Sequence, residues 1–237
     1  MDLRDPVSSA SHLFTAVWAV YATALMWRLT PADSGRRWAA VVFGLSMVLL
    51  YAASGTFHGV PFNKYDHPAE FRFFQKLDQT AIFFLIAGTS TPVYAFVLTG
   101  AWRKWFLRMT WGCAAAGVAA LWLLPKVPHG VTVAIYLFMG WLGVIPVVHF
   151  YRALGWRAMN WVWAGAACYT VGAACELANW PVIVPGWLGY HEVFHFFDMA
   201  GSLVLFLFIV KFVLPHSPPA NLAAADVPAA DPELAHA

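Results

Sequence analysis

Long apolar runs, broken at intervals by short polar loops rich in Pro and Gly, dominate this chain. Seven runs stand out, at about residues 11–27, 38–57, 73–98, 105–123, 131–151, 161–180 and 191–214. Each approaches the roughly 20 mostly apolar residues a helix needs to cross a hydrocarbon layer about 30 Å thick. Apolar residues run all the way round these helices instead of forming one stripe, which points to lipid contact and not to a soluble bundle. The loops at 31–35, 63–68, 125–130 and 181–189 carry the expected breakers. The pattern predicts an all-α fold, a seven-transmembrane-helix bundle over residues 1–214. From 215 to 237 the chain turns Pro/Ala-rich with scattered acids and reads as a disordered tail. The leading Met-Asp-Leu-Arg-Asp has no net positive charge and no clear A-x-A site follows, so the first run reads as a retained helix and not as a cleaved signal.

Composition strengthens that picture. Hydrophobic residues make up 61% of the 237 and charged residues only 11%, with a mean hydropathy of +0.63. Soluble domains carry about 25% charged residues, so this chain could not cover a water-facing surface. The 13 Trp suit anchoring at membrane interfaces. A net charge of +2 is too small and too scattered for nucleic acid. Cys113, Cys168 and Cys175 are odd in number and lack C-x-x-C spacing, which argues against a disulfide framework or a cysteine metal site. The expected location is the cell (inner) membrane, as a multi-pass protein. Loops on the N-terminal side carry five basic residues and the opposite side nine, which favours an outside N-terminus.

Ionisable groups inside such helices cost about 2.5–3.5 kcal/mol each on insertion scales and are candidates for function. His191 and His195 open the seventh run four residues apart, so both imidazoles share one helix face, as a common metal ion requires. Interfacial histidines also occur where they only snorkel or bond to loops, and spacing alone leaves both readings open. Ser54 and His58 close the second run with the same spacing. Because the runs alternate in direction, the end of the second and the starts of the third and seventh lie at one membrane face. Asp78, near the start of the third, joins them there. Three histidines and a carboxylate at one level favour zinc, with an open fourth position of the catalytic kind. Asp78 would orient or deprotonate a water, and Ser54 would hydrogen-bond that water or a substrate carbonyl. Asp198 shares the His191/His195 face and is a candidate for orienting an imidazole from behind. Glu176, with Asn179 nearby, reads as capping a packing contact. His12 and His149 read as hydrogen-bonded bundle histidines.

The same residues carry a family resemblance. Ser54-Gly55-Thr56-Phe57-His58, the run Leu77-Asp78 through Gly88-Thr89-Ser90-Thr91-Pro92, and Gly189-Tyr190-His191-Glu192-Val193-Phe194-His195 resemble the hemolysin III proteins. These are the bacterial branch of the progestin and adipoQ receptor family. Ser11-His12 and Met139-Gly140-Trp141 also look like its pattern, and the match spans most of the chain. The resemblance implies a zinc ion held by His58, His191 and His195 near one membrane face, with Asp78 holding a zinc-bound water and Ser54 alongside. It implies membrane lipids as partners, a ceramide-like substrate or a free fatty acid, and hydrolysis of a lipid amide. Two positions depart from the family: Ser90 stands where a tyrosine is usual, and Asp198 where an aliphatic residue is. The cytoplasmic N-terminus implied by adiponectin receptors also runs against the charge count.

Two other readings compete. His191-Glu192-x-x-His195 matches the H-E-x-x-H of metalloproteases, with Glu192 as base, but would leave Ser54, His58 and Asp78 unused. A receptor or a cytolytic pore with structural zinc is the non-enzymatic reading, and no run shows the polar stripe that a channel lining needs.

Overall fold

Proline sets where two of the helices begin. In the computed structural model, which describes residues 3–32 and 36–216, α1 (Pro6–Leu29) and α3 (Pro68–Val97) both carry Pro in their first turn. There its missing N–H is no loss and its fixed φ is already helical. Both helices therefore start earlier than their apolar runs. Between and after them come α2 (Arg37–Gly59), α4 (Gly100–Leu123), α5 (His129–Trp141), α6 (Val147–Ala178) and α7 (Tyr190–Phe208). A π-helical turn, Ile209–Val213, extends α7. Among the described residues the further regular features include a 3-10 turn at Leu142–Val144 and one isolated bridge between Val184 and Leu188. The seven-helix bundle expected from the hydrophobic pattern is the fold observed. The expected tail lies, from residue 217 on, outside the described residues.

Among the described residues four helices are each long and apolar enough to cross a membrane: α2, α3, α4, and α7 with its π-helical end. The bent pair His129–Val144 and Val147–Ala178 gives a fifth if it is read as one span. α1 stays below that measure, its first half being loaded with Ser8, Ser9, Ser11, His12 and Thr15. Its outer face is nonetheless apolar and open, with Phe14 77% and Val17 73% exposed. Such a face needs lipid against it. The chain is a multi-pass membrane protein.

The expected fifth run is not one straight helix. α5 ends at Trp141, passes through a 3-10 turn at Leu142–Val144, and meets Pro146 before α6 begins. Pro146 cannot donate the backbone hydrogen bond a continuing helix needs, and the axes of the two pieces differ by 75°. A second break follows at Gly155, whose φ of 78° and ψ of 169° are not helical and lie where glycine is favoured. Trp163 Nε1–H donates to Tyr151 Oη at 3.0 Å across that break. Twelve residues of straight helix would separate them by about 18 Å along the axis, so the chain folds back at Gly155. The sixth run starts directly after this turn.

α1 packs along α2, α2 along α3, α3 along α4 and α6 along α7, while α7 closes onto α1. Small residues make the close approaches, as is usual where lipid removes any hydrophobic drive between helices. Gly88 of α3 leaves room for Ser46 of α2, and Gly201 of α7 for Tyr169 of α6. This order brings the end of α2 and the starts of α1, α3 and α7 to one end of the bundle.

A histidine triad at one end of the bundle

The start of α7 is fixed from two sides. Glu192 accepts the N–H of Gly189 at 2.8 Å, closing the first turn as a capping side chain does, and its other oxygen accepts from Ser8 Oγ at 3.2 Å. α7 is thereby tied to α1, and His191 and His195 face α2. His58 meets them from the last turn of α2. The three Nε2 atoms form a near-equilateral triangle: 3.1 Å from His195 to His58, 3.1 Å from His195 to His191 and 3.4 Å from His191 to His58. His58 and His195 are buried, His191 partly so.

This spacing decides what the triad can do. Ligands about 2.0–2.1 Å from an ion at tetrahedral angles stand about 3.3 Å apart, and the observed sides bracket that value. The ring tautomers agree. Nδ1–H of His58 donates to Asp5 Oδ2 at 2.8 Å, and Nδ1–H of His191 to Glu176 Oε2 at 3.0 Å. An ionised carboxylate only accepts, so the proton of each neutral ring sits on Nδ1 and its Nε2 lone pair points into the triangle. Lone pairs aimed at one another repel unless a cation lies between them. The donor set fits a metal ion, and the carboxylates behind it hold the rings in the tautomer and orientation that coordination needs.

Both carboxylates are themselves held. Arg4 Nε–H donates to the same Asp5 Oδ2 at 2.9 Å, Arg4 Nη1 donates to Phe62 O at 3.1 Å, and the guanidinium lies 4.2 Å from the Phe57 ring centre. The backbone N–H of Asp5 donates to His58 O at 3.0 Å. Burial pushes the Asp5 carboxyl up, but hydrogen bonds from His58 and Arg4 and the Arg4 charge outweigh it and hold the group below the usual carboxylate range. Glu176 uses its second oxygen for His129 Nε2 at 3.3 Å, at the first residue of α5.

Asp78 and Ser54 border the triad without joining it. The converging donor atoms belong to the three histidines alone among the described residues. Asp78 lies within electrostatic reach of His58, His191 and Arg4 and approaches Ser54. Ser54 Oγ is buried, with Ser54 only 1% exposed, and has no hydrogen-bond partner of good geometry. A buried hydroxyl with Asp78 as its polar neighbour and no well-formed bond marks a place where a further polar group fits.

The sequence model of the family described as Haemolysin-III related matches residues 3–206. The chain belongs to the haemolysin III family. It is similar to "Hemolysin-3" of Bacillus cereus, 30% identical over 177 residues, which cover 75% of this chain and 76% of that protein. "Hemolysin-3 homolog" of Bacillus subtilis (strain 168) is 30% identical over 184 residues, 76% of this chain and 81% of its own. More distant is the human "Monocyte to macrophage differentiation factor", 24% identical over 206 residues, 86% of this chain and 82% of that one.

Within this haemolysin III chain, some residues stand elsewhere than the sequence suggests. The carboxylates that hold imidazoles are Asp5 and Glu176. Asp198 lies one turn deeper on α7, where its backbone oxygen accepts from Tyr51 Oη at 3.3 Å. Glu176 does more than end α6: its carbonyl accepts the Asn179 N–H at 3.3 Å, where Asn179 has φ 52°, while its carboxylate serves His191. Topology could have found both carboxylates, since residues 5 and 176 fall at the membrane face of His58. His12 is buried as expected of a bundle histidine, but neither of its ring nitrogens has a hydrogen bond. His149 is exposed and lies against the Trp102 ring at 4.6 Å.

Proposed function

We propose that this protein is a membrane-embedded zinc hydrolase that cleaves the amide bond of a ceramide-like lipid. The observation that carries the reading is the triad itself, three imidazole nitrogens at 3.1–3.4 Å with two of the rings locked from behind by carboxylates. His58, His191 and His195 would hold the ion, and three protein donors with an open side are the pattern of catalytic and not structural zinc. When bound, zinc supplies a Lewis acid and lowers the pKa of a water to about 7.

The chain's own residues do the rest. Asp78 takes the proton of the water that attacks the amide carbonyl and returns it to the departing nitrogen, so that one amide and one water give one fatty acid and one amine. The orphan Ser54 hydroxyl donates to the carbonyl oxygen as charge builds there. Asp5 and Glu176 keep His58 and His191 with their lone pairs inward. The apolar outer faces leave the acyl chain in lipid while the amide reaches the triad.

The test is incubation of zinc-loaded, detergent-purified protein with N-acyl sphinganine. Fatty acid and free amine are expected to appear in equal amounts, and chelated protein is expected to release neither. Release of neither product by fully loaded protein would overturn the hydrolase reading.

Two variants probe the parts. Asp5→Asn and Glu176→Gln each exchange a strong acceptor behind a ring for a weaker one. Each is expected to weaken zinc binding by about 10–100-fold in a competition titration against a chelator. Glu192→Gln distinguishes this reading from a metalloprotease. Glu192 is committed to Gly189 and Ser8, so the variant is expected to keep amide turnover within about threefold while losing about 1 kcal/mol of stability as its cap weakens. Abolished turnover with zinc retained would instead make Glu192 the base.

A further inference from the structure

His12 sits in the bundle interior at 1% exposure with both ring nitrogens unpartnered. Its neighbours explain why nothing in the protein serves it. Ser8 donates to Glu192, Ser9 to Gly55 O at 2.9 Å, Ser11 to Ser8 O at 3.2 Å and Thr15 to Ser11 O at 2.8 Å. Tyr51 presents its ring to His12, with centroids 5.1 Å apart, but sends its hydroxyl to Ser202 Oγ at 2.7 Å. Each of these hydroxyls sends its proton elsewhere, and none meets a ring nitrogen of His12.

Its position is beside the triad. The His12 ring packs edge-on against His195, with centroids 4.2 Å apart. Ser54, the other orphan of this region, stands three residues beyond Tyr51 on α2, one turn before His58. Two polar side chains without a well-formed hydrogen bond, one from α1 and one from α2, therefore border the same three histidines. Native proteins rarely leave such atoms unsatisfied, and a site that awaits a ligand is one reason they do.

The ring also limits the ligand. A neutral imidazole offers one donor and one acceptor. The two ring nitrogens point in diverging directions, so each needs its own partner. A carboxylate or phosphate can only accept and an ammonium can only donate, whereas a pair of hydroxyls, such as those beside the amide of a sphingoid lipid, can fill both roles. We propose that His12 binds hydroxyls of the lipid amide close to the scissile bond, and so selects hydroxylated over plain amides. This rests on the lipid-amide reading above, but its test does not require turnover.

Two lipids with matched chains serve as probes: N-hexadecanoyl sphinganine, which carries hydroxyls near the amide, and N-hexadecanoyl octadecylamine, which carries none. Binding to zinc-loaded protein is read as a thermal shift against lipid concentration, and hydrolysis is followed in parallel. Wild type is expected to bind the hydroxylated lipid about tenfold more tightly or better. His12→Phe keeps the ring packing on His195 and Tyr51 and is expected to lose that preference at unchanged zinc content. His12→Asn restores a donor and an acceptor and is expected to regain part of it. Should His12→Phe yield no zinc-loaded protein, His12→Leu is read in its place.

A preference that survives in the apolar variant, or equal weakening for both lipids, would overturn the proposal. A preference that vanishes with His12→Phe in protein that hydrolyses neither lipid would support the binding site while removing the hydrolase reading. Hydrolysis with a preference indifferent to His12 would sink the His12 assignment alone.

Discussion

Replacing His58, His191 and His195 together by alanine is expected to take bound zinc from about one per chain to below a tenth of that. The three Nε2 atoms stand 3.1–3.4 Å apart, each close enough to share one ion with both others, and no further donor joins them among the described residues. Two ligands on one helix turn cannot close a tetrahedral site, so His58→Ala alone is expected to weaken binding by more than the roughly 10–100-fold expected for Asp5→Asn. The measurement is metal content by mass spectrometry after dialysis against a mild chelator. Because α7 is also held by the Glu192 cap and its tie to Ser8, the triple variant is expected to remain in the membrane fraction as a folded protein. Equal zinc in wild type and triple variant would place the metal elsewhere.

The second large effect belongs to Asp78. Asp78→Ala is expected to leave zinc at about one per chain while lowering kcat for a lipid amide by about 10²–10⁴, the range typical of a lost general acid–base. Asp78 is near the triad without being part of it, which is why metal content and turnover should separate. Ser54→Ala, which removes one carbonyl-directed donor, is expected to cost less than Asp78→Ala. Zinc lost along with activity in Asp78→Ala would make the carboxylate a ligand and not a proton carrier.

How much of this could be read from the sequence depended on distance along the chain. The helices were legible because lipid-facing segments are apolar on every side and end at Pro, Gly or a charged loop. His191 and His195 were legible because four residues on one helix is a local relation, and His58 followed once the alternating direction of the helices was counted. The breaks near the fifth span were harder. Residues 131–151 hold no charged side chain, and Pro146 inside them does not by itself say how far the chain bends. Gly155 gives no apolar signal at all. The partners of the imidazoles were the least legible. A 2.8 Å bond from His58 to Asp5 spans 53 residues, and the Glu176 bond to His191 depends on how α6 and α7 pack. His12 looks in sequence like any bundle histidine. Only the packed structure shows that no neighbouring group meets either of its ring nitrogens.

Haemolysin III family membership does not assign a task to the buried end of the bundle; the proposed function assigns it metal and lipid-amide chemistry. The polar side chains lie inside, at one membrane face, while Phe14 and Val17 face outward. Under the proposed function this arrangement would admit a lipid from the side and present one polar group to the histidines.

The most direct test of the metal assignment is X-ray absorption at the zinc edge on detergent-purified, zinc-loaded protein. The triad predicts three imidazole nitrogens and one oxygen at about 2.0–2.1 Å, with the imidazole scattering lost in the triple alanine variant. A shell of sulfur at about 2.3 Å, or of oxygens without imidazole, would contradict it.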